Sequence, residues 1–170
     1  MITDAELNEL VAQVAAALLS RRRTLVSAES CTGGWIGKAL TDRAGSSAWY
    51  RGGVVAYSNA LKQSLLGVSA ATLEAHGAVS ELTAREMASG ALLRLGADLA
   101  VSVTGIAGPD GGQPDKPVGT VWFSWAWQQG SRLEAQAAKV RFEGDREAVR
   151  RQAVAFSLQQ VLELTLRAWP

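Results

Sequence analysis

Residues 120–127, Thr-Val-Trp-Phe-Ser-Trp-Ala-Trp, constrain the fold more than any other stretch of this chain. Read as a strand, they set Val121, Phe123, Trp125 and Trp127 on one face and Trp122, Ser124 and Ala126 on the other. Both faces are apolar, so the sheet that holds this strand needs helices on both sides. A second apolar run, Leu-Ala-Val-Ser-Val at 99–103, follows Asp98 and stops at a glycine- and proline-rich loop, 104–119.

The rest of the chain supplies that cover. Thr3 or Asp4 caps a first helix with Leu7, Leu10, Val11, Val14, Ala15 and Leu18 on one stripe. Arg21, Arg22 and Arg23 close it, where cations meet the negative end of the helix dipole. A strand at 24–28 runs into Glu29-Ser30-Cys31-Thr32-Gly33-Gly34 and then a helix to about Arg43. A strand at 52–57 is followed by a helix at 60–66, opened by Ser58-Asn59 and stopped by Gly67. Another short helix covers about 70–75 and ends at His76-Gly77. Ser80 and Glu81 start a longer one, with Leu82, Met87, Ala91, Leu92 and the weaker Ala84 at helical spacing, ended by Gly96. A strand over about 132–142 pairs with 120–127 through the turn at 129–131. Gly144-Asp145 caps a final helix to about Arg167. The order α-β-α-β-α-α-α-β-β-β-α predicts one α/β domain of three layers, α/β/α, with a mixed sheet whose last strands are antiparallel. A length of 170 residues fits one such domain.

Small counts exclude several chemistries. One cysteine, Cys31, forbids an intrachain disulfide. One histidine, His76, rules out a metal site built on several imidazoles and would have to serve any Ser-His-Asp triad. A hydrolase built from this chain therefore takes its base from elsewhere. Seventeen basic and sixteen acidic residues leave a net charge of +1, with no bulk electrostatic case for nucleic acid or a membrane surface. The N-terminus is acidic and the longest apolar stretch, Val11 to Leu19, is far too short to cross a bilayer, so the chain reads as soluble and cytoplasmic. Three of the six tryptophans (35, 49, 122, 125, 127, 169), those at 122, 125 and 127, lack basic neighbours for stacking nucleic acid. They read as core or as subunit contact, which makes a homo-oligomer the expectation.

Three segments can carry chemistry. In Ala28 to Gly34, hydroxyl and thiol groups meet two glycines at a strand-to-helix junction, where a nucleophile finds backbone N–H donors. The competing reading is a polar cap that merely starts a helix. In Tyr57-Ser58-Asn59-Ala60-Leu61-Lys62, a lysine early in a helix sits against the positive dipole end, and burial would lower its pKa further, the condition for a lysine base. Ser58 and Lys62, four apart, also suit a dyad of their own, and a solvent-facing lysine is the plain alternative. The chain holds 13 Arg and only four Lys (38, 62, 116 and 139), which singles Lys62 out. The third segment, Thr104 to Gly112 with Lys116 to Gly119, lies at the carboxyl end of a buried strand, where α/β sheets bind ligands; its glycines match no phosphate-loop pattern. Cys31 reads as small apolar filler before nucleophile, and His76 as a helix cap before catalyst.

Together, Ala28-Glu29-Ser30-Cys31-Thr32-Gly33-Gly34, Tyr57-Ser58-Asn59-x-x-Lys62, Gly77-Ala78-Val79-Ser80-Glu81 and Thr104-Gly105-Ile106-Ala107-Gly108-Pro109 with Lys116-Pro117-Val118-Gly119 resemble the C-terminal, nicotinamide-nucleotide amidase domain of the CinA family. The resemblance runs from about Leu7 to Leu166 and implies hydrolysis of nicotinamide mononucleotide to nicotinate mononucleotide and ammonia, with no metal and no cofactor. It also implies an amidase domain standing alone, without the N-terminal domain that relatives often carry. On this resemblance Ser30 is the nucleophile, with Ser58 as its rival, and Lys62 takes and returns the proton. Tyr57 relays a proton or holds Lys62. The N–H groups around Thr32, Gly33 and Gly34 form the oxyanion hole. Asn59, Thr104, Gly105 and Gly108 line the nucleotide pocket, and Arg146 is a candidate for the phosphate. A silent nucleotide-binding or regulatory module, and an amidase for another pyridine amide, are the alternatives.

Overall fold

A computed structural model describes residues 2–167. Thr3 starts helix α1 (Asp4–Ser20) with a full capping box: its Oγ1 accepts from the Glu6 N–H at 3.2 Å, and Glu6 Oε2 accepts from the Thr3 N–H at 2.7 Å. The predicted stripe from Leu7 to Leu18 is buried. Arg21 to Arg23 lie beyond the helix instead of in its last turn, which holds no cation. Arg22 takes a left-handed φ of 52° to reverse the chain. Arg23 pairs with Asp98 at 3.1 Å, and the Thr24 N–H and hydroxyl both donate to that carboxylate.

After α1 come β1 (Leu25–Glu29), α2 (Trp35–Thr41), a single 3₁₀ turn (Ser46–Ala48), β2 (Tyr50–Val55), α3 (Asn59–Leu66), α4 (Ala70–His76) and α5 (Glu81–Leu95). Then follow β3 (Leu99–Gly105), β4 (Thr120–Gln129), β5 (Arg132–Arg141) and α6 (Arg146–Arg167). The sheet runs β2-β1-β3-β4-β5. Its first three strands are parallel and the last two antiparallel, the mixed α/β architecture expected.

The two faces differ in side-chain size. Leu99, Val101 and Val103 of β3 and Val121, Phe123 and Trp125 of β4 meet α1 and α6 in the larger core. Phe123 lies 4.8 Å from Phe156 between ring centroids, at the centre of an aromatic group with Trp125 and Phe142. The opposite face offers Ala28, Ala100 and Ala126, small enough for α5 to approach closely with Met87, Ala88 and Ala91. This preference for small groups corrects the sequence reading of α5, in which Leu82 is 43% exposed while Ala84 is fully buried. The tryptophans at 49 and 125 are core; Trp169 lies outside the described residues. Among those residues no helix is long and apolar enough to cross a membrane.

The parallel strands β1 and β3 lie side by side in register, Glu29 opposite Val103, so the segments that follow them emerge together at one sheet edge. β2 ends at Val55, two residues earlier than expected, which turns the carbonyls of Ala56 and Tyr57 out of strand pairing. α3 packs against α5 at Gly90, where a Cβ would stand 1.7 Å from the Leu66 carbonyl oxygen. Gly90→Ala is therefore expected to destabilise the fold by at least about 1–3 kcal/mol, read by denaturant unfolding.

Candidate active site

Ser30 is the first residue after β1, and its N–H donates to Val103 O at 3.0 Å, tying it to β3. Lys62 is the fourth residue of α3, a helix capped by Ser58, whose Oγ accepts from the Leu61 N–H at 3.2 Å. That bond gives Ser58 a capping role, and the lysine amine reaches Ser30 instead: Nζ lies 3.0 Å from Ser30 Oγ. The same nitrogen lies 3.0 Å from Ala56 O and 3.3 Å from Tyr57 O. All three partners are neutral. Lys62 is 1% exposed and Ser30 8%, and burial pushes the lysine pKa below its ordinary value.

Nζ donates to Ser30 Oγ and to the carbonyls of Ala56 and Tyr57; a lysine that gave up one proton would keep both carbonyl bonds and turn its lone pair to the Ser30 hydroxyl. The carbonyls of Ala56 and Tyr57 are available because β2 stops at Val55.

Around this pair is a pocket of about 200 Å³ that also draws in Tyr57, Asn59, Thr104, Gly105 and Arg146. Thr104 is buried and donates to Ala78 O at 2.8 Å, which fixes the approach to α5 as one wall. Arg146, the first residue of α6, donates to Gly108 O at 2.8 Å and to the Tyr57 hydroxyl at 3.1 Å. Gly108 thus acts through its carbonyl, as a seat for the arginine. Tyr57 holds Lys62 with its main chain, while its ring is 60% exposed and its hydroxyl faces Arg146. Cys31 also lines the pocket, but burial pushes its thiol up to about 12, the inert filler expected. His76 ends α4 and receives Lys116 Nζ on its carbonyl oxygen at 2.9 Å.

The glycine turn behaves differently from the expectation. Gly33 N donates to Ser30 O at 3.0 Å and Gly34 N to Glu29 Oε2 at 3.0 Å, so neither amide can serve an oxyanion. Glu29 is the reason. Its carboxylate is 1% exposed and accepts from Thr32 Oγ1 (2.7 Å), Gly34 N, Ile36 N (3.0 Å) and Gly37 N (2.8 Å). The positive end of α2 is directed at this internal anion rather than at a ligand. Sequence reasoning passed over Glu29; the usable signal was a carboxylate closing a buried strand, which needs donors and finds them at the next helix start. Arg150 was missed as well: Nε donates to Cys31 O at 3.1 Å and Nη2 to Thr32 O at 2.8 Å, clamping the turn that follows Ser30. Among the described residues no cluster of His, Cys, Asp or Glu could hold a metal ion.

Comparison with known proteins identifies the family. The family model for the CinA C-terminal domain matches residues 7–165. The chain belongs to the CinA family. It is 57% identical, over 95% of its length and 96% of the relative, to the nicotinamide-nucleotide amidohydrolase PncC of Enterobacter agglomerans. It is 52% identical to the protein of that name from Escherichia coli K12, over 98% and 99% of the two chains. The crystal structure of a competence/damage inducible protein from Agrobacterium tumefaciens superposes with a TM-score of 0.90 at 39% identity, over 96% and 97% of the two chains. Within this CinA fold the dyad sits where β1 and β3 end, beneath the start of α6.

A buried lysine without a counter-ion favours deprotonation in the folded state. Above its lowered pKa the unfolded chain binds more protons, so this contribution to stability rises with pH until the ordinary lysine pKa is reached. Lys62→Met removes the buried amine. The variant is expected to melt at or above the wild-type temperature near neutral pH, with the difference shrinking as pH rises, read by thermal denaturation across pH.

Proposed function

We propose that this CinA-family chain hydrolyses the carboxamide of nicotinamide mononucleotide, giving nicotinate mononucleotide and ammonia, with Ser30 as nucleophile and Lys62 as base. The observation that carries the mechanism is the 3.0 Å contact between a buried, counter-ion-free amine and a hydroxyl at a strand end. The substrate comes from the names of the full-length relatives.

In the forward step neutral Lys62 takes the Ser30 proton as Oγ bonds to the carboxamide carbon. The resulting ammonium gives that proton to the departing nitrogen, which leaves as ammonia. Water then attacks the acyl-serine, Lys62 accepting its proton and returning it to Ser30. Of the three amides expected to stabilise the oxyanion, those of Gly33 and Gly34 are already bonded elsewhere. Arg146 stands at the pocket wall with the Tyr57 hydroxyl and is the cation nearest to hand for the nucleotide phosphate. Asn59, Thr104 and Gly105 shape the pocket for the ring. An enzyme of this kind works in the cytoplasm, where mononucleotides arise.

Ser30→Ala is expected to abolish ammonia release from nicotinamide mononucleotide, and Lys62→Met to lower kcat by about 10²–10⁴-fold. In the wild type kcat/KM rises with pH as Lys62 loses its proton, with a midpoint below ordinary lysine values. A chelator leaves the rate unchanged. Comparison of nicotinamide, its riboside and its mononucleotide fixes the substrate: turnover of the mononucleotide alone is the expected result. A folded Ser30→Ala protein with full activity would overturn the mechanism, and an equal rate on free nicotinamide would overturn the substrate.

A further inference from the structure

A second hollow lies behind the Ser30 turn, between α1, α2 and α6. At about 580 Å³ it is larger than the Ser30 pocket and falls within the range of small-molecule sites, about 300–1,000 Å³. Its walls hold three cations, two of them over one indole. Lys38, Arg150 and Arg151 line it, and the guanidinium carbons of Arg150 and Arg151 stand 5.4 and 5.1 Å from the Trp35 ring centroid.

Two carboxylates of the hollow's own lining, Asp4 and Asp42, face these cations and pair closely with them from solvent-exposed positions. Lys38 pairs with Asp42 and Arg151 with Asp4 and Glu147, and the acidic side chains are 48%, 83% and 72% exposed. Exposed pairs of this kind are weak and yield to a more highly charged anion. Arg150 differs: it donates to the carbonyls of Cys31 and Thr32. Gly33 forms part of the floor, where a Cβ would stand 3.3 Å from Arg150 Nη2, so the bare glycine lets the guanidinium settle on the turn.

We propose that this hollow binds an organic phosphate of mononucleotide size and that its occupation slows turnover at Ser30. Guanidinium and ammonium groups converging on one cavity suit the three acceptor oxygens of a phosphate monoester. The coupling runs through Arg150. Phosphate oxygens compete with two neutral carbonyls for the same guanidinium, so the ligand binds better once the clamp on residues 31 and 32 is released. Releasing that clamp loosens the turn that aims Ser30 Oγ at Lys62. The binding half of the proposal stands by itself; the rate half rests on the amidase reading.

Adenosine monophosphate is the probe, with inorganic phosphate as a second arm. Titrated into the Ser30→Ala protein, adenosine monophosphate is expected to change tryptophan fluorescence saturably, and Trp35→Phe to remove most of that signal. The Lys38→Gln/Arg151→Gln double variant is expected to weaken binding about tenfold or more. In wild-type enzyme the probe lowers kcat for nicotinamide mononucleotide with KM unchanged, while the double variant keeps its basal kcat and resists the probe. Absence of saturable binding at millimolar probe, or binding indifferent to the double variant, overturns the site. Equal affinity for inorganic phosphate overturns the mononucleotide class. Binding without change in kcat, or a rise in KM alone, overturns the coupling. Failure of the amidase reading shows separately, as no ammonia release before any probe is added.

Discussion

The structure at the sheet edge is arranged around one uncomfortable atom, the Nζ of Lys62. It is buried with no carboxylate among its recorded partners. Left charged, it would carry a desolvation cost that two carbonyls and a hydroxyl offset incompletely. The early end of β2, the cap at Ser58 and the position of Lys62 in the opening turns of α3 converge to bring this amine to Ser30. The depressed pKa that costs stability is the same property that the proposed base role requires.

The second constraint is the Glu29 carboxylate. Helix starts following parallel strands commonly bind an anionic ligand. Here Glu29 occupies that position from within and holds Thr32, Gly34, Ile36 and Gly37. The turn after Ser30 is rigid as a result, clamped from the inside by Glu29 and from the α6 side by Arg150. Under the proposed function, recognition of the substrate anion would fall to side chains such as Arg146 rather than to this helix start.

Much of this was legible in the chain itself. Periodicity marked every helix and strand in order, because the two apolar faces of β4 demand three layers and the caps at Thr3, Ser58 and Ser80 are written in residue type. Lys62 stood out through scarcity, as one of four lysines, and Ser30 through the family resemblance; the fold brings the two to 3.0 Å. What was not legible depends on direction in space. A glycine pair at a helix start looks like a ligand cradle until the Ser30 carbonyl is seen to take one amide and the buried Glu29 the other. Leu82 fits a helical stripe until the alanine-lined sheet face shows that small residues point inward. Arg150 is 119 residues from Cys31, a separation at which local pattern carries no information.

The central claim is that Lys62 is neutral at a pH where the other three lysines are charged, and four lysines make this directly measurable. Nitrogen-15 detection of the side-chain amines across pH, assigned with Lys62→Met, is the decisive measurement. The account predicts that one resonance, lost in that variant, titrates well below those of Lys38, Lys116 and Lys139. If all four titrate together at ordinary lysine values, Lys62 is an ammonium at working pH and cannot be the base.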